Sequence, residues 1–306
     1  MGALSSEAGA CMSNFDYQSI QERINAFLEK EIFFIVGCPK SGTTWLQHIL
    51  NGHPEIWCGG EAHLSNRLAP VLTQATNYYN EWIAHKNKTL NKTDKYPQFT
   101  AETLDYLVVT SIALLLQGWV DKPGVRCIGE KTPDHIHSLE WFARLFPRAK
   151  FIHIMRDGRD AVVSAWFHFP SLNPDFHKQF PTLKTYVEGF AVNWAQSVQS
   201  GRHFGRMHPA RYAEIKYEDL HRHPDDNIRR LLGFLGVSDD PAMVGACRAA
   251  GEFKKLSRGR EPGQEQRGSH FRKGIVGDWA SHLDADCLRV FYQKAGSLLS
   301  ELGYER

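Results

Sequence analysis

The chain has 306 residues, of which 42% are hydrophobic and 23% are charged, enough for one large core and unlike the composition of a disordered protein. Its formal net charge of +2 excludes the global basic field that non-specific nucleic-acid binding requires. We therefore expect no nucleic-acid partner and only local anion sites.

The six cysteines are widely separated and form no C-x-x-C pair, which predicts free thiols rather than a zinc site or a disulfide framework. No stretch approaches the ~18 to 20 apolar residues of a transmembrane helix. The first residues, MGALSSEAGACMSNFD, do not have the charged and then apolar pattern of a secretory leader. Together these features predict a cytoplasmic protein without a transmembrane segment.

Short apolar runs rich in β-branched residues alternate with longer stretches of helical spacing, such as Leu104, Val108, Ile112 and Leu115. Four strands are predicted, at residues 32–36, 126–128, 150–155 and 211–216. The pattern predicts an α/β fold: a P-loop-like sandwich whose mostly parallel sheet has about four to five strands, with helices on both faces. Two further segments are predicted, a loop at 251–273 and a closing helix at 284–302.

The first predicted strand leads into IVGCPKSGTTW, a loop rich in glycine and small hydroxyl residues. Gly37 and Gly42 have the spacing of the P-loop G-x-x-x-x-G-K-[ST], but Thr43 stands where that motif has its lysine. The lysine lies inside the loop instead, at Lys40. Backbone N–H groups in such a loop, with the following helix N-terminus, predict an anion site.

A nucleotide kinase or NTPase is one alternative for this loop, and it requires an acidic residue after a buried strand to hold Mg²⁺. The strand at 150–155 is followed by Arg156 and Asp157. Arg156 favours direct pairing with a phosphate, whereas Asp157 as a metal ligand keeps the kinase hypothesis open. Ser164, in DGRDAVVSAWFHF, and the basic stretch HFRKGIVGDW could add a hydroxyl and further cations to a phosphate site.

Three stretches together resemble the sulfotransferases that use 3′-phosphoadenosine 5′-phosphosulfate (PAPS). CPKSGTTW resembles their 5′-phosphosulfate loop, RDGRDAVVSAWFHF their 3′-phosphate stretch, and FRKGIVGDW their late nucleotide-binding loop. The order and spacing agree over residues 33–279. The resemblance implies a sulfotransferase domain at residues 31–306, preceded by an N-terminal extension and leading helix at residues 1–30.

The resemblance also assigns the nucleotide-binding residues, with PAPS as cosubstrate and no metal ion. The loop around the 5′-phosphosulfate would consist of Lys40, Ser41, Gly42, Thr43 and Thr44. Contacts to the base would come from Trp45, Tyr217 and Phe253. The groups holding the 3′-phosphate would be Arg156, Ser164, Arg272, Lys273 and Gly274. A sulfuryl group carries less charge than a phosphoryl group, so the Lys40 ammonium could neutralise the charge that develops on the bridging oxygen.

The base that deprotonates the acceptor is not the one found in the cytosolic phenol and steroid sulfotransferases, because Pro133 stands where they have a histidine. HPEIWCGGEAHLS resembles the corresponding region of tyrosylprotein and some glycan sulfotransferases, which makes Glu61 the candidate base. Lys131 would steady the transition state. His135 and His63 are the alternative bases.

The acceptor stays open among a small-molecule alcohol or phenol, a sugar and a peptide. Aromatic side chains could line its pocket or fill the core: Tyr78, Tyr79, Trp82, Tyr96, Phe99, Tyr106, Trp119, Phe167, Phe169, Phe176 and Phe180. A nucleotide-binding protein without turnover is a third hypothesis. Retention of Lys40, Lys131 and Glu61 together favours an enzyme.

Overall fold

The computed structural model describes residues 16–89 and 95–304. Five strands form one sheet, and all neighbouring strands in it run parallel. The strands are β1 (Glu31–Val36), β2 (Ile56–Gly59), β3 (Cys127–Lys131), β4 (Lys150–Met155) and β5 (Tyr212–Lys216). Their order across the sheet is β2-β3-β1-β4-β5. The predicted α/β fold with a parallel sheet is confirmed.

Helices connect the strands and cover the sheet. The α-helices are α1 (Tyr17–Leu28), α2 (Thr43–Asn51), α3 (Ala69–Thr89), α4 (Ala101–Trp119), α5 (Leu139–Leu145), α6 (Gly158–His168), α7 (Phe176–Gln179), α8 (Leu183–Met207), α9 (Tyr217–Arg222), α10 (Pro224–Leu235), α11 (Pro241–Ala250), α12 (Phe253–Leu256) and α13 (Ala285–Glu301). Short 3₁₀ or π turns occur at Leu64–Leu68, Pro133–His137, Phe169–Ser171, Pro209–Arg211 and Asp278–Ser281.

The alternation of side chains along β1 divides the core between the two faces of the sheet. Phe34 and Val36 pack with residues of α1, α4 and α5 on one face. Phe33 and Ile35 pack with residues of α2, α10 and α11 on the other. Every residue of β1 from Ile32 to Val36 is buried, as expected for a central parallel strand covered on both sides.

The strand missed by the sequence analysis is β2, which is only four residues long. Its apolar run is too short to be distinguished from a buried turn by pattern alone. The strand predicted at 126–128 begins at Cys127 and continues to Lys131. Its last two residues, Glu130 and Lys131, are charged but buried, so an apolar pattern does not reveal that they belong to the strand. The strand predicted at 211–216 begins at Tyr212, after a 3₁₀ turn.

The segments outside the sheet agree with most expectations. Helix α13 occupies most of the predicted closing helix, and the loop predicted at 251–273 contains the one-turn helix α12. Helix α1 lies in the predicted leading segment, whose residues 1–15, including Cys11, are outside the described part of the chain. The other five cysteines are free and buried. Within residues 16–89 and 95–304, no helix is long and apolar enough to cross a membrane.

Candidate active site

A cavity of about 580 Å³ lies at the carboxyl end of the sheet. Parallel pairing brings the ends of all five strands to this edge, where open α/β sheets bind their ligands. Most residues that the sequence analysis assigned to the site line this single cavity: Lys40, Gly42, Thr43, Thr44, Trp45, Glu61, Arg156, Ser164, Tyr217, Phe253, Arg272, Lys273 and Gly274. Residues up to 234 positions apart in sequence, from Lys40 to Gly274, therefore meet in space.

The loop after β1 has the conformation of an anion cradle. Gly42 has a φ of 99°, in the left-handed region, and α2 begins at the next residue. A Cβ atom at Gly42 would lie 2.6 Å from the Tyr217 ring, so only glycine fits between this ring and the loop. The free backbone N–H groups at the start of α2 and the side chain of Lys40 face the cavity from this side.

Lys40 is partly buried among other cations, and this environment changes its protonation. Burial lowers the pKa of Lys40 to about 7, and the positive charges of Arg156, Lys131 and Arg272 act in the same direction. Glu61 opposes this shift only in part. The ammonium group therefore titrates near neutral pH, and a bound anion would favour its charged form.

Arg156 follows β4 directly and is held by both stacking and hydrogen bonds. Its guanidinium lies 4.3 Å from the centre of the Tyr217 ring. Its Nη2 donates to the Ile275 carbonyl oxygen at 3.0 Å. Ser164, two turns into α6, lines the same part of the cavity. Arg156 thus joins the end of β4 to the late loop before any ligand binds.

The late loop is fixed by acidic residues. Asp278 accepts from the guanidinium of Arg272 and, at 2.7 Å, from Lys273 Nζ. Asp160, which is 1% exposed, accepts from the backbone N–H groups of Gly277 (2.7 Å) and Trp279 (2.9 Å). The sequence analysis missed Asp160, although its position four residues after Arg156, in the same motif, was an available signal. Asp278 and Asp160 therefore hold the late loop, with Arg272 and Lys273, in place beside Arg156 at the cavity.

The three aromatic residues predicted to contact the base, Trp45, Tyr217 and Phe253, all line the cavity. The rings of Trp45 and Tyr217 have centroids 5.1 Å apart. Trp45 Nε1 donates to the Gly251 carbonyl oxygen at 2.8 Å. A Cβ at Gly251 would lie 2.4 Å from Ile49 Cγ1, so a residue with a side chain would displace Ile49. Gly251 instead anchors Trp45 through its backbone.

Two arginines that line the cavity, and Ser41 in the loop after β1, carry buried polar atoms without hydrogen-bond partners. In the part of the chain that the structure describes, Ser41 Oγ, Arg156 Nε and Arg272 Nε are buried without a hydrogen-bond partner. Buried donors without partners are costly, and phosphate oxygens are the acceptors that match them best. The residues present therefore fit the phosphate groups of PAPS.

Glu61 and Lys131 form an ion pair at the edge of this cavity. Lys131 Nζ lies 2.6 Å from Glu61 Oε1, with the Lys131 side chain 4% and the Glu61 side chain 38% exposed. Partial burial raises the pKa of Glu61, but the hydrogen bond and charge of Lys131, helped by His63 and His270, leave the pKa below its ordinary value. Glu61 is therefore ionised at neutral pH and accessible to an acceptor.

The two histidines proposed as alternative bases lie in different places. His63 lines the cavity, with its Nε2 3.7 Å from Glu61 Oε2. His135 is completely buried and is not among the residues lining the cavity. Its Nδ1 is 2.8 Å from Ser65 Oγ, and its Nε2 is 3.2 Å from Glu130 Oε2. The geometry does not place His135 where it could reach an acceptor hydroxyl.

Other residues complete the cavity next to Glu61. His168 and His270, whose ring centroids are 4.5 Å apart, line it together with Phe169 and Phe271. The sequence analysis missed both histidines, although His270 adjoins the FRKG motif. Most of the aromatic residues considered for an acceptor pocket are exposed on or beside α3 and α4: Tyr78, Tyr79, Trp82, Tyr96, Phe99, Tyr106 and Trp119. Of the remaining aromatic residues in that set, Phe169 lines the cavity and Phe176 is buried in the core.

Metal-ligating residues do not cluster at this site. Within residues 16–89 and 95–304, no group of three or more His, Cys, Asp or Glu residues is arranged to hold a metal ion.

Lys40 makes a testable prediction about pH. Above pH 7 the free enzyme must take up a proton to bind adenosine 3′,5′-bisphosphate (PAP), because Lys40 is neutral when free and charged beside the anion. We expect PAP affinity, measured by calorimetry, to fall by up to about tenfold per pH unit above pH 7. Lys40→Arg is the control, since arginine stays charged throughout. If PAP affinity falls equally steeply with pH in the wild type and in Lys40→Arg between pH 7 and 9, Lys40 is not the group that takes up the proton.

Comparisons with known proteins agree with this geometry. The sequence profile of the Sulfotransferase family matches residues 33–241. Protein-tyrosine sulfotransferase 2 from Gallus gallus is 25% identical over 281 residues, covering 90% of this chain and 70% of that protein. Protein-tyrosine sulfotransferase A from Caenorhabditis elegans is 26% identical over 275 residues, covering 89% and 67%.

Solved structures share the fold. A mouse sulfotransferase complexed with PAP covers 94% of this chain and 96% of its own, with a TM-score of 0.53 and 18% identity. The sulfotransferase domain of a Synechococcus olefin synthase covers 87% and 94%, with a TM-score of 0.52 and 22% identity. The profile match spans more than half of the chain and includes the loop after β1 and the Arg156 stretch. The chain therefore belongs to the Sulfotransferase family, and the sulfotransferase activity predicted from its motifs is confirmed.

Proposed function

We propose that this enzyme transfers the sulfuryl group of PAPS to the phenolic hydroxyl of a tyrosine side chain in a peptide. The observation that carries the proposal is the Glu61–Lys131 ion pair, with 2.6 Å between Oε1 and Nζ, at the edge of the cavity that contains Lys40. The relatives named protein-tyrosine sulfotransferases, at 25% and 26% identity, support the choice of acceptor.

Each group of residues has a separate role in this proposal. PAPS supplies the sulfuryl group. The loop after β1, Arg156 and the late loop bind its phosphates, while Lys40 neutralises the negative charge that develops on the leaving phosphate oxygen. Glu61 accepts the proton of the acceptor hydroxyl, and Lys131 orients the Glu61 carboxylate and adds positive charge beside it.

The low pKa of Glu61 favours a phenol over an aliphatic alcohol. A carboxylate whose pKa is held down by Lys131 is a weak base, so it deprotonates an acidic hydroxyl more readily. A tyrosine hydroxyl has a pKa near 10, far below that of a sugar hydroxyl. The aromatic rings of Phe169 and Phe271, in the same cavity as Glu61, offer apolar surface for a phenol ring.

Family membership decides against the nucleotide kinase alternative, whose lysine would stand at position 43. A binding protein without turnover does not need an ionised carboxylate paired with a lysine beside the nucleotide loop. The small-molecule and sugar acceptors remain as outcomes of the experiment described below.

We also propose a cytoplasmic location, on the five cysteines of the described residues, which are free and buried and suit a reducing compartment. Fractionation of cells that express the full chain tests this. Recovery in a lumenal fraction, with sugar attached at Asn87 of the NKT sequon, would contradict it.

The acceptor prediction can be tested by incubation with sulfur-labelled PAPS in excess EDTA. We expect label in a tyrosine-containing peptide, and none in the same peptide with phenylalanine in place of tyrosine, because only the phenolic oxygen can accept it. Free phenols, sterols and sugars form the rest of the panel. Transfer to a sugar but not to the tyrosine peptide would refute the tyrosine assignment and keep the family chemistry.

Glu61→Gln tests the base. The amide keeps the size and polarity of the side chain but cannot accept the proton, so kcat should fall by about 10²-fold or more. PAP affinity, measured by calorimetry, should change little. Asp134→Asn, which alters another carboxylate lining the cavity, should keep kcat within about threefold. If Glu61→Gln, like Asp134→Asn, keeps the kcat of the wild type, Glu61 is not the base.

A further inference from the structure

The segment that presents Glu61 is held by two side chains from the end of β3. Glu130 Oε1 accepts from the Ala62 backbone N–H at 2.8 Å. Thr132 Oγ1 accepts from the His63 backbone N–H at 3.4 Å and donates to Glu130 Oε1 at 2.5 Å. The two peptide groups that follow Glu61 are thus fixed by side chains rather than by a neighbouring strand.

These side-chain bonds take the place of the backbone β2–β3 pairing beyond the end of β2. The last residue of β2, Gly59, lies opposite Glu130. Beyond Gly59 the chain leaves the sheet, and His63 has a φ of 50°, a left-handed conformation that is unfavourable for a residue with a side chain. Surrounding contacts must stabilise such a backbone. Glu130 and Thr132 supply hydrogen bonds on both sides of the Ala62–His63 peptide bond.

The alternation of side chains at the end of β3 gives different tasks to Glu130, Lys131 and the residue after the strand, Thr132. Lys131 points away from Glu130 and Thr132 and reaches the Glu61 carboxylate, with 2.6 Å between Nζ and Oε1. One strand end therefore holds both the side chain of Glu61, through Lys131, and the backbone after it, through the residues on either side.

Glu130 is fully buried, and its second oxygen faces His135. Both side chains are 0% exposed, and His135 Nε2 lies 3.2 Å from Glu130 Oε2. Ser65, which follows the Glu61 segment, reaches His135 Nδ1 at 2.8 Å. A buried carboxylate with one oxygen left without a hydrogen bond contributes less to stability than an apolar side chain of similar volume often would. Its position behind the Glu61 segment points to a role in orientation rather than in stability.

We propose that Glu130 is a positioning residue for sulfuryl transfer, which fixes the backbone at Ala62 so that the Glu61 carboxylate faces the acceptor, with Thr132 and His135 supporting it. This inference rests on the proposed role of Glu61 as the base. It also assigns His135, which the sequence analysis considered as a base, to the network behind the site.

The test compares two substitutions of the same residue. Glu130→Met keeps the length of the side chain but removes the acceptor for the Ala62 N–H, so kcat should fall by about tenfold or more because a misplaced base reacts slowly. The KM for PAPS and the PAP affinity should stay within about twofold, since the nucleotide loop is not touched. Glu130→Gln keeps a carbonyl oxygen for the Ala62 N–H and should restore most of kcat.

A second measurement does not depend on turnover. Amide hydrogen exchange at Ala62 and His63 should accelerate at least about tenfold in Glu130→Met, because their acceptors are lost or displaced. Should Glu130→Met fail to fold, Thr132→Val removes the acceptor of the His63 N–H and the hydrogen bond from Thr132 to Glu130, while the Glu130 carboxylate stays in place. It should accelerate exchange at His63 and lower kcat to a smaller extent.

His53→Leu is the matched control. His53 is also buried, precedes the opposite end of β2, and uses both ring nitrogens, with Ser238 O and the Glu55 N–H as partners. Its loss should lower the melting temperature without changing kcat or exchange at residues 62 and 63. Wild-type kcat in folded Glu130→Met, or unchanged exchange at Ala62, would overturn the inference. Normal turnover in Glu61→Gln would instead overturn the assignment of the base.

Discussion

Parallel strand pairing is the constraint on which this site depends. Because all five strands run in one direction, their carboxyl ends meet at one edge of the sheet, and each end is followed by a residue of the cavity or its support. The nucleotide loop follows β1 and Glu61 follows β2. Lys131 ends β3, Arg156 follows β4, and Tyr217 follows β5. An antiparallel pairing of any one strand would move its contribution to the opposite end of the sheet.

The second feature is a local concentration of positive charge in a chain whose formal net charge is only +2. Lys40 is partly buried and close enough to Arg156, Lys131 and Arg272 for their charges to depress its pKa. Such a cluster is electrostatically unfavourable in the free protein, and a polyanionic ligand relieves the repulsion when it binds. The same charges are then directed at the oxygens where negative charge increases during transfer.

Buried carboxylates hold the functional segments in place by accepting backbone N–H groups. Asp160 binds two N–H groups of the late loop, and Glu130 binds one in the Glu61 segment. In both cases the carboxylate lies on a regular element of the sandwich, a helix or a strand, whereas the segment that it holds is irregular. Rigid elements therefore set the geometry of the loops that contact substrates.

The sequence by itself determined the fold class and named most of the residues that line the cavity. Alternating strand and helix patterns imply a parallel sheet, and the three motifs name residues that meet in one cavity. The fold prediction succeeded because it rests on local pattern: β1, β4 and α13 are long enough to show their periodicity. Strand β2 was missed because four residues are too few for a pattern to be recognised.

Only the tertiary structure decided which titratable group faces the part of the cavity where the acceptor would bind. The sequence favoured Glu61 as the base by resemblance and left His63 and His135 as alternatives. Packing buries His135 behind β3 and leaves Glu61 on the cavity, paired with a lysine 70 residues away. Burial and ion pairing depend on which elements meet across the sheet, and these distant contacts leave no periodic signal in the residues that make them. The roles of Asp160 and Glu130 have the same origin, because each depends on backbone groups brought close only by the folded chain.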